Sequence, residues 1–434
     1  MEEMPHIINR SEHPVSRKNI DADALKVLYK LFKAGHTVYL VGGGVRDLIL
    51  GRQPKDFDIV TSARPSQIKK LFGKNCQLIG RRFRLAHVRS GGRKIMEVST
   101  FRKTPVIEEF EHETDDAEGY IESDNSFGTP EQDALRRDFT VNCIFYDIGT
   151  YSLIDYVGGA DDLKMGIIRT IGDPDVRFRE DPVRMIRAIK FSARLNFKID
   201  DTSWQGILNN ASSIVNASVP RIQEEIMRLL ESRTSCRCFE MLKESGLLEH
   251  LLPEMSDYLF RAENGLCKYD KGGNLYFRLF DKADKKQFGR SSLRIIFMIP
   301  FMLEAGLLDN DYDAEKAEVI VKTLASRLGM CASEQHHCLQ IFTFLHKLAV
   351  PSEEKLSKNF IGQKTTAEAF DFYELMTGAG LINKADLQYW QEKFDKSGID
   401  PKMHLSPSAR RRLRRSGRSD NQKKAEHDNE SGQS

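Results

Sequence analysis

Two aspartates stand one residue apart in the stretch KDFDIV, residues 55–60. On a β-strand the side chains at i and i+2 leave the same face, so Asp56 and Asp58 converge while Phe57 turns to the other side. Two carboxylates held that way repel each other unless a cation neutralises them, and hard oxygen donors suit magnesium, which also takes substrate phosphates. Manganese satisfies the same oxygens. In two-metal phosphoryl transfer the ions that such carboxylates hold activate the attacking hydroxyl and stabilise the leaving oxygen. A third carboxylate usually completes the cage, and the candidates are Asp138 in LRRDFTVN and Glu97 in KIMEVST. An isolated DxD is more often a polar strand end at a turn, so its context decides the reading.

That context is the run Gly42, Gly43 and Gly44 in VGGGVRDLILG, about a dozen residues ahead of the aspartates. Glycines let backbone approach a ligand closely, and the N–H groups opening the following helix form an anion site suited to a triphosphate. Two other phosphate motifs fail on spacing. A dinucleotide fingerprint needs glycine where Asp47 stands, and a P-loop needs GK[ST] where the sequence reads VRD.

These residues need elements to hold them. ADALKVLYKLFKAG predicts a helix with Leu25, Leu28 and Phe32 at helical spacing, closed by Gly35, and TVYLV predicts a buried strand. VRDLILG is one or two helical turns stopped at Gly51, DFDIV a second strand, and PSQIKKLFG a helix with proline first and glycine past its end. CQLIG, RLAHVRS and KIMEVSTF are short strands, the last two joined as a hairpin by SGGR. Up to about residue 160 the pattern is mixed α and β. From Arg169 to about residue 395 it reads as helix broken by glycine or proline, and REDPVRMIRAIKFSARL sets Val183, Ile186, Ile189 and Ala193 on one face. The fold class is therefore α+β, a small mixed sheet followed by helices.

Composition excludes more than it identifies. The 65 Lys and Arg nearly balance 63 Asp and Glu, but residues 108–124 are strongly acidic, and six arginines fall between Arg410 and Arg418. The acidic segment predicts a mobile loop, and the stretch from about Pro401 predicts a disordered basic tail. Seven cysteines without CxxC spacing argue against a disulfide framework and a zinc site. Cys236 and Cys238, two apart on a helix, point to different faces. The N-terminus lacks the pattern of a signal peptide and no 18-residue apolar stretch occurs, so the expectation is a cytoplasmic protein without membrane insertion.

With these residues in view, GGGVRDLILGRQPKDFD resembles the signature of the nucleotidyltransferase superfamily, in the class II branch of bacterial poly(A) polymerases and CCA-adding enzymes. RRDFTVN at 136–142, DYVGGADDLKMGIIRTIGDP at 155–174 and REDPVRMIRAIKFSARL at 179–195 resemble further family blocks in the family's order. The resemblance covers roughly residues 20–235 closely and the helical remainder weakly. Residues 1–19 lack periodicity and read as an extended arm; the resemblance implies a catalytic head over 20–165, a helical neck that binds the nucleotide base and RNA over 166–235, and a helical body with an RNA-binding region over 236–400, ahead of the basic tail over 401–434.

The resemblance also implies roles. Asp56 and Asp58 are the metal-binding catalytic pair and Asp138 their partner, with Glu97 an outside candidate. Gly43, Gly44, Arg46, Arg136, Arg137 and Arg187 lie toward the incoming nucleotide. Asp181 and Arg184 of EDPVR recognise its base; three residues apart on a helix, they are neighbours that can offer an acceptor and donors to one base edge. LIGRRFRLAHV at 78–88 and RSEHPVSR ahead of the first helix resemble poly(A) polymerases rather than CCA-adding enzymes, and so does the arginine-rich tail. Arg81, Arg82 and Arg84 either meet triphosphate or primer or form a solvated edge. In the tail, Arg410, Arg411, Arg412, Arg414 and Arg415 are placed to hold RNA phosphates irrespective of sequence. The implied activity is template-independent transfer of AMP from ATP to RNA 3′ ends, of mRNA and other transcripts, with magnesium and release of pyrophosphate. The alternative is a CCA-adding enzyme acting on tRNA, and a remote one is a non-catalytic RNA-binding protein on the same fold.

Overall fold

One mixed sheet organises the N-terminal unit, Met1–Ser213. Its strands are β1 (His6–Ile8), β2 (Val38–Val41), β3 (Asp58–Thr61), β4 (Cys76–Ile79), β5 (Leu85–Arg89), β6 (Ile95–Thr100), β7 (Ile144–Asp147) and β8 (Leu153–Asp155). They lie in the order β1-β8-β7-β2-β3-β6-β5-β4, antiparallel throughout the described residues except for the β3–β6 pair. The computed structural model describes residues 4–80, 85–90, 94–103, 127–264, 275–286, 288–350, 358–361 and 363–397. Arg81, Arg82 and Arg84, Gly91 to Arg93 of the SGGR turn, the acidic segment and the arginine-rich tail lie outside the described residues.

Helix α1 (Ala22–Lys33) lies against β2, β3 and β6. It buries Ala24, Val27, Leu28 and Leu31, the i, i+3, i+4, i+7 stripe of an amphipathic helix. Phe32, expected on that face, is 47% exposed instead. The inner stripe is built on a small and a β-branched residue, so the most conspicuous aromatic does not mark it. Helix α2 (Gly43–Ile49) follows β2 directly, and α3 (Pro65–Phe72) begins on proline and ends at Gly73, as its sequence predicts.

The opposite wall is apolar and continuous. Val41, Val60 and Phe145 from three strands pack with Phe101, Ala134, Cys143 and Ile171. Burying each large side chain there contributes about 1.5–3 kcal/mol. This cluster roots the segment running from α4 (Pro130–Leu135) through the 3-10 turn Thr140–Asn142 onto the strands. Beyond α5 (Gly159–Met165) a short parallel pair, β9 (Ile167–Ile168) with β10 (Lys198–Ile199), interrupts the region expected to be helical. Between these strands run α6 (Pro174–Glu180) and α7 (Val183–Leu195), and α8 (Asp201–Asn210) follows β10. The expected face of α7 is buried, with Val183, Ile186 and Ile189 at 1% exposure or less and Ala193 at 9%.

The second unit, Ile214–Ser434, is helical over its described residues. Phe239, Tyr276, Phe280 and Phe297 form an aromatic centre, with Tyr276 and Phe280 rings 4.6 Å apart. Trp390, fully buried, donates its indole N–H to the Leu348 carbonyl at 2.8 Å. Arg290 forks onto Glu224 and Glu231, joining two helices through charge-assisted bonds. No helix among the described residues is long and apolar enough to cross a membrane.

Candidate active site

Strand β2 ends at Val41, and the chain turns at Gly42 with φ 79° and ψ −152°, a conformation in practice restricted to glycine. The turn rests on the two aspartates. A Cβ at Gly42 would lie 2.9 Å from Asp58 Oδ2, and one at Gly44 would lie 3.0 Å from the Asp56 carbonyl oxygen. The antiparallel register sets Val41 opposite Asp58. The glycine run and the DxD are thus one structural feature. Strand β3 starts only at Asp58, so Asp56 sits in the connection ahead of the strand rather than on it. The alternation persists all the same, with Asp56 and Asp58 exposed and Phe57 buried.

Glu97 is the register partner of Asp58 across the parallel pair, and His87 is the partner of Glu97 across β5. Directly opposed residues on adjacent strands share a face, so the three side chains form a row. His87 Nε2 stands 3.7 Å from Glu97 Oε1. Asp58 keeps contact with solvent, yet protein atoms crowd it. Burial, then the charge of Glu97, then that of Asp56 push its pKa up, against the pull of Arg137 and Arg187. A carboxylate whose negative form is penalised by two acidic neighbours is the chemistry that a divalent cation relieves. Among the described residues no group of three or more His, Cys, Asp or Glu side chains closes into a metal cage. That still fits magnesium, which is commonly held by one or two carboxylates with substrate phosphates and water completing its shell.

Asp138 is held from several sides. Its Oδ1 accepts from the Phe139 N–H at 2.8 Å and the Asn142 side-chain amide at 3.4 Å. Its Oδ2 accepts from both Nε and Nη2 of Arg187. Burial alone would raise its pKa, but Arg187, the Phe139 N–H and the Asn142 amide together outweigh that and hold the carboxyl below its ordinary value. Asn142 also links it to the glycine turn, because its Oδ1 accepts from Arg46 Nη1 at 2.6 Å.

Arg46 itself is 1% exposed. Its Nε and Nη2 donate to Asp47 Oδ1 at 2.9 and 2.7 Å, and its guanidinium lies 5.4 Å from the Phe191 ring centre. A Cβ on Gly43 would come within 3.3 Å of Arg46 Nη2. The structure therefore places Arg46 beneath the turn rather than on its open side. Arg194 Nη2 completes Asp47 at 3.2 Å.

Arg136 and Arg137 both bond Asp133, three and four residues earlier, and Arg137 stacks over Phe145. Asp181 and Arg184 depart from the sequence expectation: they do not share a helix. Asp181 terminates α6 with φ −145° and ψ 88°, and α7 begins after Pro182. A residue that precedes proline is driven out of the helical region by the pyrrolidine ring, which accounts for the break. The two remain adjacent across it, since the Arg184 N–H donates to the Asp181 carbonyl at 3.0 Å. Arg184 Nη1 donates to the Arg177 carbonyl at 3.0 Å and to Glu180 Oε2 at 3.3 Å.

Sequence reasoning missed several supports. Asp133 could have been found, because its i+3 and i+4 spacing to two arginines is a helical ion-pair pattern. Asp155, 3% exposed, accepts from the N–H groups of Val157, Gly159 and Ala160 and so shapes the turn into α5. Asp162 accepts from Thr140 Oγ1 at 2.7 Å and from Arg169, fastening α5 to the 138–142 segment. Asp47, Asn142 and His87 carry no local signal.

Residues 38–169 match the family model described as poly A polymerase head domain, and residues 196–259 match that described as "Probable RNA and SrmB- binding site of polymerase A". Poly(A) polymerase I of Salmonella typhi is 47% identical over 265 residues, 60% of this chain and 56% of that protein. The CCA-adding enzyme of Lactobacillus helveticus is 35% identical over 52% of this chain and 54% of that one. The chain thus spans about half the length of the curated relatives it matches. Among solved structures, the Bacillus stearothermophilus CCA-adding enzyme in complex with CTP superposes with a TM-score of 0.63 at 25% identity, over 86% of this chain and 82% of that one. A glycine turn seated against Asp58, within residues that match a poly A polymerase head domain, makes this chain similar to the poly(A) polymerases and to the CCA-adding enzymes.

Proposed function

We propose that this protein adds adenylate from ATP to RNA 3′ ends without a template, releasing pyrophosphate. The observation that carries the reading is the seat of Asp58 against Gly42, with Glu97 opposite it in register. It brings a candidate phosphate-binding turn and an acidic cluster to one place. Asp56 and Asp58 would hold a divalent cation, magnesium or manganese, which when bound supplies activation of the 3′-hydroxyl and neutralisation of phosphate charge. The turn at Gly43 and Gly44 receives the triphosphate, and Arg46 supports the turn from below. Asp138, fixed by Arg187, completes the acidic side, while Arg136 and Arg137 face the ribose and phosphates. Asp181 and Arg184 read the base at the helix break. Residues 20–165 act as the catalytic head, 166–235 as neck and 236–400 as RNA-holding body. The arginines Arg410, Arg411, Arg412, Arg414 and Arg415 add sequence-independent RNA contacts, and the protein works in the cytoplasm on mRNA and other transcripts. The 47% identity to a poly(A) polymerase I supports this choice of product.

CCA addition is the second reading, favoured by the likeness to a CCA-adding enzyme in complex with CTP. One assay separates them. Purified protein is given a generic RNA or a truncated tRNA with each nucleotide in turn, and product lengths are read on a gel. A long adenylate ladder on generic RNA is the expected result. Use of CTP first, with a stop after three additions on tRNA alone, overturns it.

A further inference from the structure

We propose that Arg177 is a positioning residue that sets nucleotide choice by locking the base-reading corner to the segment carrying Asp138. The inference rests on the polymerase reading above. Arg177 stands on α6, and its side chain is only 10% exposed. Nη2 donates to the carbonyl oxygens of Arg136 and of Arg137, at 2.7 Å each. Nη1 donates to Glu180 Oε2 at 2.7 Å. The same Glu180 oxygen takes Arg184 Nη1, which also bonds the Arg177 carbonyl. One guanidinium therefore joins the backbone just before Asp138 to the side chain proposed to meet the base.

The geometry needs arginine. A planar fork can serve two carbonyls on one nitrogen and a carboxylate on the other, whereas a lysine ammonium is a single point with three donors and cannot span both sets. Arg187 ties α7 to Asp138 itself, so the helix pair is fastened to this segment at two places. Losing the Arg187 tie disturbs the carboxylate. Losing the Arg177 tie leaves the carboxylate in place but uncouples the corner that holds Glu180 and Arg184 from the Arg136 and Arg137 carbonyls, so that corner can shift relative to the reacting end. Discrimination between bases depends on such placement, and a displacement of about 1 Å can cost on the order of 10²-fold.

The test uses the full-length protein, wild type, Arg177→Lys and Glu180→Gln, with single-nucleotide addition to a short RNA and kcat/KM measured separately for ATP and CTP. The ATP-to-CTP ratio is expected to fall by about tenfold in Arg177→Lys, and by less in Glu180→Gln, which keeps both carbonyl bonds. An unchanged ratio in a folded Arg177→Lys overturns the inference, including the case where both nucleotides slow equally, which marks a purely structural role. If Arg177→Lys does not fold, Glu180→Gln decides by the same criterion. Absence of any incorporation by the wild type would sink the polymerase reading itself, and this inference with it.

Discussion

Arg187 and Asp138 lie 49 residues apart in the chain, yet both Nε and Nη2 of the arginine converge on one carboxylate oxygen of the aspartate. The pair joins the first long helix after the sheet to the segment that follows α4. Arg187→Ala leaves a crowded carboxylate with only its amide partners, and the expected loss is about 1.5–3 kcal/mol, the range for hydrogen bonds to charged groups. Urea titration of Arg187→Ala, Asp138→Asn and the double variant measures it. Additive losses would show that the two residues are not energetically coupled.

Asp58 offers a test with a defined sign. Its folded-state pKa is raised, first by burial and then by Glu97 and Asp56, so the native fold binds that proton more tightly than the unfolded chain does. Ionising it therefore costs folding free energy, and stability from this group is lost as pH rises through its folded pKa. Asp58→Asn is expected to melt higher than wild type at neutral pH, with the gain shrinking as pH falls and wild-type Asp58 takes up its proton. Incorporation of nucleotide by the variant should be abolished while RNA affinity stays largely intact. A lower melting point at neutral pH contradicts the assignment.

Magnesium titration gives an independent reading of the same residues. Binding to the folded state alone raises the melting temperature by mass action. Wild type should gain stability on addition of magnesium or manganese, and Asp56→Asn with Asp58→Asn should gain markedly less. Equal shifts would place the cation elsewhere.

Gly42→Ala combines two penalties. The backbone there has a positive φ, and the new methyl would stand 2.9 Å from the Asp58 carboxylate. A cost of about 1–3 kcal/mol from backbone strain is expected in denaturant titrations, with a larger loss of activity than Gly51→Ala. Gly51 also has a positive φ, but a methyl there meets nothing within 4 Å. Equal activity in the two variants would remove the argument for close approach.

Much of this arrangement was legible in the residues. Period-two and period-3.6 patterns, with Pro65 and Gly73 bounding α3, locate the strands and helices around the site. What failed did so for physical reasons. Phe32 looked like the inner face of α1, but four smaller or aliphatic side chains fill that space at the correct angular spacing. Asp181 and Arg184 looked helical until the effect of Pro182 on its predecessor is counted. Arg46 in a glycine-rich turn reads as a phosphate ligand, and nothing local reveals that Asp47, Asn142 and Phe191 enclose it.

That enclosure ties the site to the folding of the whole unit. Arg46 finds its amide acceptor 96 residues downstream and its aromatic neighbour on α7. Closing such distant contacts is slow and comes after local helices and hairpins form. A fragment ending before Asn142 would leave Arg46 without that acceptor, so the GGG-to-DxD segment alone lacks part of what holds its own turn.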